Sequence, residues 1–158
     1  MTALSAGCTS PGRRADCCGW TSGRRGSNGW EDGAFAIAEE GLPPEWTMQL
    51  RRYFGGEPVR FTIPLDLRGT AFEREVWAAL QKIPYGQTRT YAQIAAQIER
   101  PDAARAVGRA NGKNPVSVVV PCHRVVAAHG PGGYGAGIET KRALLDLEAR
   151  GAAEGCVV

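Results

Sequence analysis

Two reciprocal helix caps constrain this chain more than any other feature of its sequence. Thr70-Ala71-Phe72-Glu73 and Thr90-Tyr91-Ala92-Gln93 each set a threonine three residues ahead of a Glu or Gln. At that spacing the hydroxyl accepts from the third helical amide, and the longer side chain reaches back to the amide of the threonine. Phe72, Val76, Trp77 and Leu80 continue the first cap as an apolar stripe, and Ile94, Ala95 and Ile98 continue the second. Two amphipathic helices therefore start at fixed points, separated by a turn at Pro84-Tyr85-Gly86. A third helix is expected from Ala103 to about Asn111, stopping near Gly112. Pro101 suits its first turn, and Arg100 is a poor cap for it. The tight connection between the helix at 91–98 and the helix at 103–111 predicts a helix–turn–helix, although two adjacent core helices would give the same pattern.

The flanking sequence is less regular. Residues 1–33 are rich in Gly, Ser, Arg and Cys, with few aliphatics and no periodicity, and read as poorly ordered. Residues 35–38 fit a short strand. Trp46, Leu50, Tyr53 and Phe54 share one face of a helix from Pro44 to Phe54, which Gly55-Gly56 ends. Composition changes after Pro64. The β-branched run at 116–120, closed by Pro121, predicts a strand. A loop with five glycines follows at 130–137, then a last helix at 139–150. The expected organisation is an ill-defined N-terminal region at 1–64, a folded domain at 65–150 and a tail at 151–158.

The 158 residues carry a net charge of +3 and a pI near 8.7, mildly basic and compatible with a polyanionic partner. No apolar run is long enough to cross a bilayer, and no apolar segment follows a charged start as in a secretory signal. The expected compartment is the cytoplasm, at the nucleoid if the source is bacterial. The five cysteines, Cys8, Cys17, Cys18, Cys122 and Cys156, are odd in number and not spaced as a disulfide framework. A zinc site would need four ligands, and the only histidines, His123 and His129, are far in sequence from the N-terminal cysteines. No metal or cofactor is expected.

Chemistry concentrates in two places. The second helix of the helix–turn–helix carries Ala103, Ala104, Ala106, Gly108 and Ala110 where major-groove readers present long polar side chains. Such a smooth face lets a backbone approach a narrow minor groove. Arg105 or Arg109, projecting from it, could enter a base stack. Taken alone, core packing of the alanines with solvated arginines is the better explanation. The sharper signal is Pro121-Cys122-His123-Arg124. A cysteine is nucleophilic as thiolate, and a neighbouring imidazole can take its proton directly or through a water. Glu148 continues the apolar stripe of Leu144 and Leu145, and a carboxylate facing a core needs a partner, so it is a candidate to orient His123. A buried structural cysteine and a surface histidine are the ordinary alternatives.

In order along the chain, Arg68-Gly69-Thr70, Ile83-Pro84-Tyr85-Gly86, Thr90-Tyr91, residues 103–108, Asn114-Pro115, Pro121-Cys122-His123-Arg124-Val125-Val126, Gly133-Tyr134-Gly135-Ala136-Gly137 and residues 141–148 resemble the C-terminal domain of the O6-alkylguanine-DNA alkyltransferases. The likeness covers about residues 65–148. It implies an α/β protein, mostly α in its C-terminal part. A winged helix–turn–helix-like alkyltransferase domain would follow a degenerate or truncated N-terminal α/β region. The implied activity is single-turnover transfer of an alkyl group from O6-alkylguanine, or O4-alkylthymine, in duplex DNA to Cys122. The partner is double-stranded DNA, the protein is a monomer, and no cofactor or membrane is involved.

The resemblance also implies roles. His123 would accept the Cys122 proton through a water, Glu148 would orient His123, and Asn114 would brace the turn presenting the nucleophile. Tyr91 would donate a hydrogen bond to the flipped guanine. Arg105 would fill the vacated stack, with Ala103, Ala104, Ala106, Gly108 and Thr90 against the DNA. The backbone around Val125, Tyr134 and Gly135 would line the base pocket; relatives often carry Ser where this chain has Gly135. Three rivals remain on sequence alone. A lesion sensor lacks the acceptor cysteine, which Cys122 supplies here. A helix–turn–helix regulator would not use an alanine-rich reading helix. A thiol hydrolase would act on peptides or esters.

Overall fold

The computed structural model describes residues 42–154 together with the two-residue strand β1 (Leu4–Ser5). The expected strand at 35–38 and Cys8, Cys17, Cys18 and Cys156 lie outside the described residues. Helix α1 (Pro44–Phe54) has the expected bounds and ends where Gly56 takes φ +88°, a left-handed conformation that glycine adopts without a steric cost. After α1 come β2 (Leu65–Asp66), α2 (Ala71–Leu80), β3 (Arg89–Thr90) and α3 (Tyr91–Gln97). A 3₁₀ turn (Pro101–Ala103) then leads into α4 (Ala104–Gly112). A second 3₁₀ turn (Cys122–Arg124), β4 (Val125–Val126) and α5 (Ile138–Glu154) complete the fold.

Both capping boxes form: Thr70 Oγ1 accepts from Glu73 N at 3.2 Å and Thr90 Oγ1 from Gln93 N at 3.1 Å. Each return bond is 2.8 Å. Because α3 starts directly after β3, the second box also fixes the small parallel ladder in which Arg89 pairs with Val125 and Thr90 with Val126. β1 and β2 form a second parallel pair, with Leu4 opposite Leu65. Val76, Trp77, Leu80, Ile94, Val107 and Val125 pack α2, α3 and α4 together. Trp77 Nε1 donates to Ala110 O at 2.9 Å, so the largest core side chain is also satisfied. Between α3 and α4 the chain turns through Glu99 at φ +58°. Arg100 supplies no side-chain cap, and the third helix starts as a 3₁₀ turn.

Two expectations are corrected. Residues 116–120 are not a strand. Val120 N donates back to Val116 O at 3.0 Å and Val119 N to Ser117 O at 2.9 Å, which closes a local turn with Val118 at φ +72°. Strand propensity describes side chains that fit a pleated surface. Here the Asn114 carboxamide captures the backbone first, donating to Val120 O at 2.7 Å and accepting from Val116 N at 3.1 Å. The last helix also continues four residues past Arg150. It does so because Gly151 lets it pass Gly56 and the Tyr85 hydroxyl, where a Cβ would collide with the Gly56 carbonyl.

Candidate active site

The turn at 116–120 delivers the chain through Pro121 into the 3₁₀ turn at Cys122–Arg124. With three residues per turn, successive side chains point about 120° apart. All three are buried. The side chains of Asn114, Ser117 and Tyr134 surround the Cys122 thiol and favour its ionised form. His123 and Arg124 both meet Glu148 of α5.

Glu148 is fully buried and saturated with donors. Oε1 lies 2.8 Å from His123 Nε2, 2.6 Å from the Tyr53 hydroxyl and 2.9 Å from an Arg124 terminal nitrogen. Oε2 accepts from Arg124 Nε at 2.9 Å and from Gly86 N at 3.1 Å. Burial alone would raise the carboxyl, but the hydrogen bonds from His123 and Arg124, with the Arg124 charge, outweigh it and hold the group at about 2. An ionised carboxylate only accepts, so the His123 nitrogen beside it carries the hydrogen. Burial, opposed by Glu148, lowers the basicity of His123. The ring is therefore neutral with its proton on Nε2. Nδ1 has no partner among the described residues and keeps its lone pair. Burial pushes the Cys122 thiol up, against the lowering effect of Asn114, Ser117 and Tyr134. At rest the pair is thiol and neutral imidazole.

Tyr91 stands across from this pair. Its ring lies where a Cβ on Gly108 of α4 would meet it at 3.8 Å, its hydroxyl is 3.5 Å from Gly133 O, and its ionisation is opposed first by burial and then by the nearby Cys122. Tyr134 is likewise pushed up by burial and by Cys122. Gly135 is exposed, and a Cβ there would meet nothing within 4 Å. Lys141, fully buried, donates to Val125 O at 2.5 Å and to Gly133 O at 3.3 Å, tying the two expected pocket walls together. The Val125 carbonyl retains a second lone pair.

Cys122, His123, Glu148, Asn114, Tyr91, Tyr134 and Val125 thus gather around one thiol. The expected DNA-facing group lies apart on α4 and its approach: Arg105 is exposed, and Ala103, Ala104, Ala106 and Gly108 are half-buried. The Thr90 hydroxyl is engaged in its cap. Sequence reasoning assigned no role to Tyr53, Arg124, Lys141 or Ser117. Lys141 was detectable, because it interrupts the apolar stripe that runs through Leu144 to Glu148. Arg124 was detectable as the cation that a buried Glu148 requires.

Comparison with known proteins decides the family. The family described as "6-O-methylguanine DNA methyltransferase, DNA binding domain" matches residues 71–150. The chain belongs to this family. A methylated-DNA–protein-cysteine methyltransferase of Mycolicibacterium paratuberculosis is 53% identical over 133 residues, covering 84% of this chain and 71% of the relative. One from Mycobacterium tuberculosis is 60% identical over 101 residues, covering 63% of this chain and 61% of the relative. Among solved structures, Mycobacterium tuberculosis OGT in complex with DNA superposes with a TM-score of 0.67 at 48% identity, covering 74% of this chain and 76% of that one. The O6-methylguanine-DNA methyltransferase of Pyrococcus kodakaraensis gives 0.59 at 34% identity, over 73% and 70%. The α/β alkyltransferase fold expected from the sequence is the fold observed. Among the described residues, no helix is long and apolar enough to cross a membrane.

Proposed function

We propose that this chain repairs DNA directly, moving an alkyl group from guanine O6 in duplex DNA onto Cys122, once per molecule. The observation that carries the residue assignment is the buried Cys122–His123–Glu148–Arg124 cluster, with its imidazole tautomer set by an ionised carboxylate. DNA as partner is supported by the solved complex of the Mycobacterium tuberculosis relative. The helix–turn–helix presents α4 with small side chains and one exposed arginine near its start, Arg105, suited to close approach in a minor groove and to replacing a displaced base.

The steps balance. His123 Nδ1 takes the Cys122 proton, directly or through a water, and Glu148 stabilises the imidazolium electrostatically without accepting the proton. The thiolate attacks the alkyl carbon, forming C–S as C–O6 breaks, and the bonding pair leaves on guanine. The Tyr91 hydroxyl donates to the departing base and offsets that charge. The departing guanine anion takes a proton from water and the imidazolium returns its proton to water, so the net change places the alkyl group on sulfur and a proton on guanine. The thioether has no leaving pathway, so the protein is consumed. The working form is a monomer in the cytoplasm, close to the DNA.

The test is intact mass and peptide mapping after mixing the protein with an O6-methylguanine oligonucleotide. One methyl per chain on Cys122, and none in Cys122→Ser with DNA binding kept, is the expected result. Transfer retained in Cys122→Ser refutes the assignment of the acceptor.

A further inference from the structure

The alkyl-transfer reading uses Cys122, His123 and Glu148 but leaves a tyrosine from α1 unexplained. Tyr53 is fully buried, lies 70 residues from His123 in sequence and comes from the region expected to be an ill-defined remnant. Its ring is held edge-on by Phe54, at 5.2 Å, and by Tyr85, at 5.9 Å, with Phe61 tilted against it at 5.5 Å. Phenylalanine would serve that packing equally well. The hydroxyl does something else: it donates to Glu148 Oε1 at 2.6 Å and stands 3.2 Å from His123 Nε2. It shares the one carboxylate oxygen that orients the imidazole.

We propose that Tyr53 is a positioning residue for the proton transfer, its hydroxyl dividing the charge of Glu148 Oε1 so that His123 is held in place without being made too strong a base. The proposal rests on the alkyl-transfer reading and extends the site to α1. A carboxylate oxygen that faces an imidazole alone favours the imidazolium, and each further donor on that oxygen weakens the preference. An imidazole already protonated at working pH cannot accept the thiol proton. The charged groups acting on His123 are Glu148 and Lys141 on α5 and Arg124 in its own turn, and Tyr85, after α2, lies against Tyr53 and Arg124. Of these, Arg124 and Lys141 also oppose protonation. Their charges stay in place when only the hydroxyl is removed, so a change in Tyr53→Phe reports the hydroxyl.

The experiment uses the full chain and follows methyl transfer from the oligonucleotide between pH 5 and 9 in wild type and Tyr53→Phe. In parallel, the ring nitrogens of His123 are titrated by ¹⁵N NMR. The expected result is full end-point methylation, an acid limb of the rate profile moved up by about one pH unit, and the same displacement in the His123 titration. If Tyr53→Phe loses stability or end-point methylation while both pH readouts stay put, Tyr53 only packs, and the proposal fails. If wild type takes no methyl, the alkyl-transfer reading fails instead, and the His123 titration alone still decides whether the hydroxyl tunes the ring. Should Tyr53→Phe not fold, Phe61→Leu keeps the hydroxyl while loosening its ring. A smaller move of the His123 titration in the same direction supports the proposal, and an unmoved titration overturns it.

Discussion

Replacing Asn114 with alanine tests how the nucleophile is presented. The carboxamide donates to Val120 O at 2.7 Å, accepts from Val116 N at 3.1 Å and favours the ionised Cys122 thiol. Losing the two backbone bonds costs about 1 kcal/mol each, and a buried carbonyl left unmatched adds about as much again, for a total of about 2–3 kcal/mol. The turn they close also holds Val118 at φ +72°, a conformation costing a β-branched residue about 1–3 kcal/mol. Once the carboxamide is gone, relaxation of Val118 offsets part of the loss by opening the turn, and Cys122 moves with it. A displacement of about 1 Å at a reacting atom slows chemistry about a hundredfold. Thermal unfolding should show a fall of about 10 °C in Tm. Single-turnover kinetics on a methylated oligonucleotide should show a rate about two orders of magnitude down, with DNA affinity unchanged. Stability within about 0.5 kcal/mol of wild type and an unaltered rate would refute the idea that the carboxamide holds the turn.

Arg105→Ala should slow repair of duplex by about tenfold or more while leaving reaction with a free O6-alkylguanine base within about twofold, because only the duplex requires unstacking; equal losses on both substrates would remove Arg105 from base displacement. Stability should fall with acid in two stages, followed by chemical denaturation at a series of pH values. The unfolded chain protonates His123 below its ordinary 6.5 while the fold resists. Glu148, held at about 2 against an ordinary 4.5, contributes about 3 kcal/mol that is fully present above 4.5 and is lost as pH falls toward 2. Glu148→Gln should flatten the lower stage, and an unchanged slope there counts against the assignment. Gly132→Ala places a Cβ 3.0 Å from the Tyr91 hydroxyl at φ +73° and should destabilise by about 1–2 kcal/mol and slow transfer. Gly135→Ser meets nothing and should stay within about 0.5 kcal/mol. Similar melting curves for the two variants would contradict this contrast.

What could be read from the sequence followed the range of the interactions involved. Both capping boxes and the bounds of α1 were legible because every bond involved spans three or four residues. The misread strand at 116–120 shows the limit of that local view: its valines fit a strand, and the deciding partner was a side chain two residues upstream of the run. Glu148 was legible as a carboxylate on an apolar stripe, but its full set of partners was not. Tyr53 is 95 residues from Glu148, and on α1 it reads as one more apolar-face residue beside Trp46 and Leu50. Only the folded chain shows that its hydroxyl faces the carboxylate. The division expected at residue 64 likewise follows composition, whereas Tyr53 packs with Val118 and Leu144 across it.

A protein spent by a single reaction has to survive the interval before that reaction. Cys122 is 4% exposed, and its burial keeps the proton on sulfur. Peroxides and disulfides attack the thiolate, and accessible low-pKa cysteines are the ones they consume. The same enclosure that leaves the resting thiol unreactive therefore acts as chemical storage. In the proposed reaction it preserves each copy in the reduced state and leaves activation to the substrate base, which would bring the alkyl carbon to the sulfur and give the proton transfer to His123 a purpose.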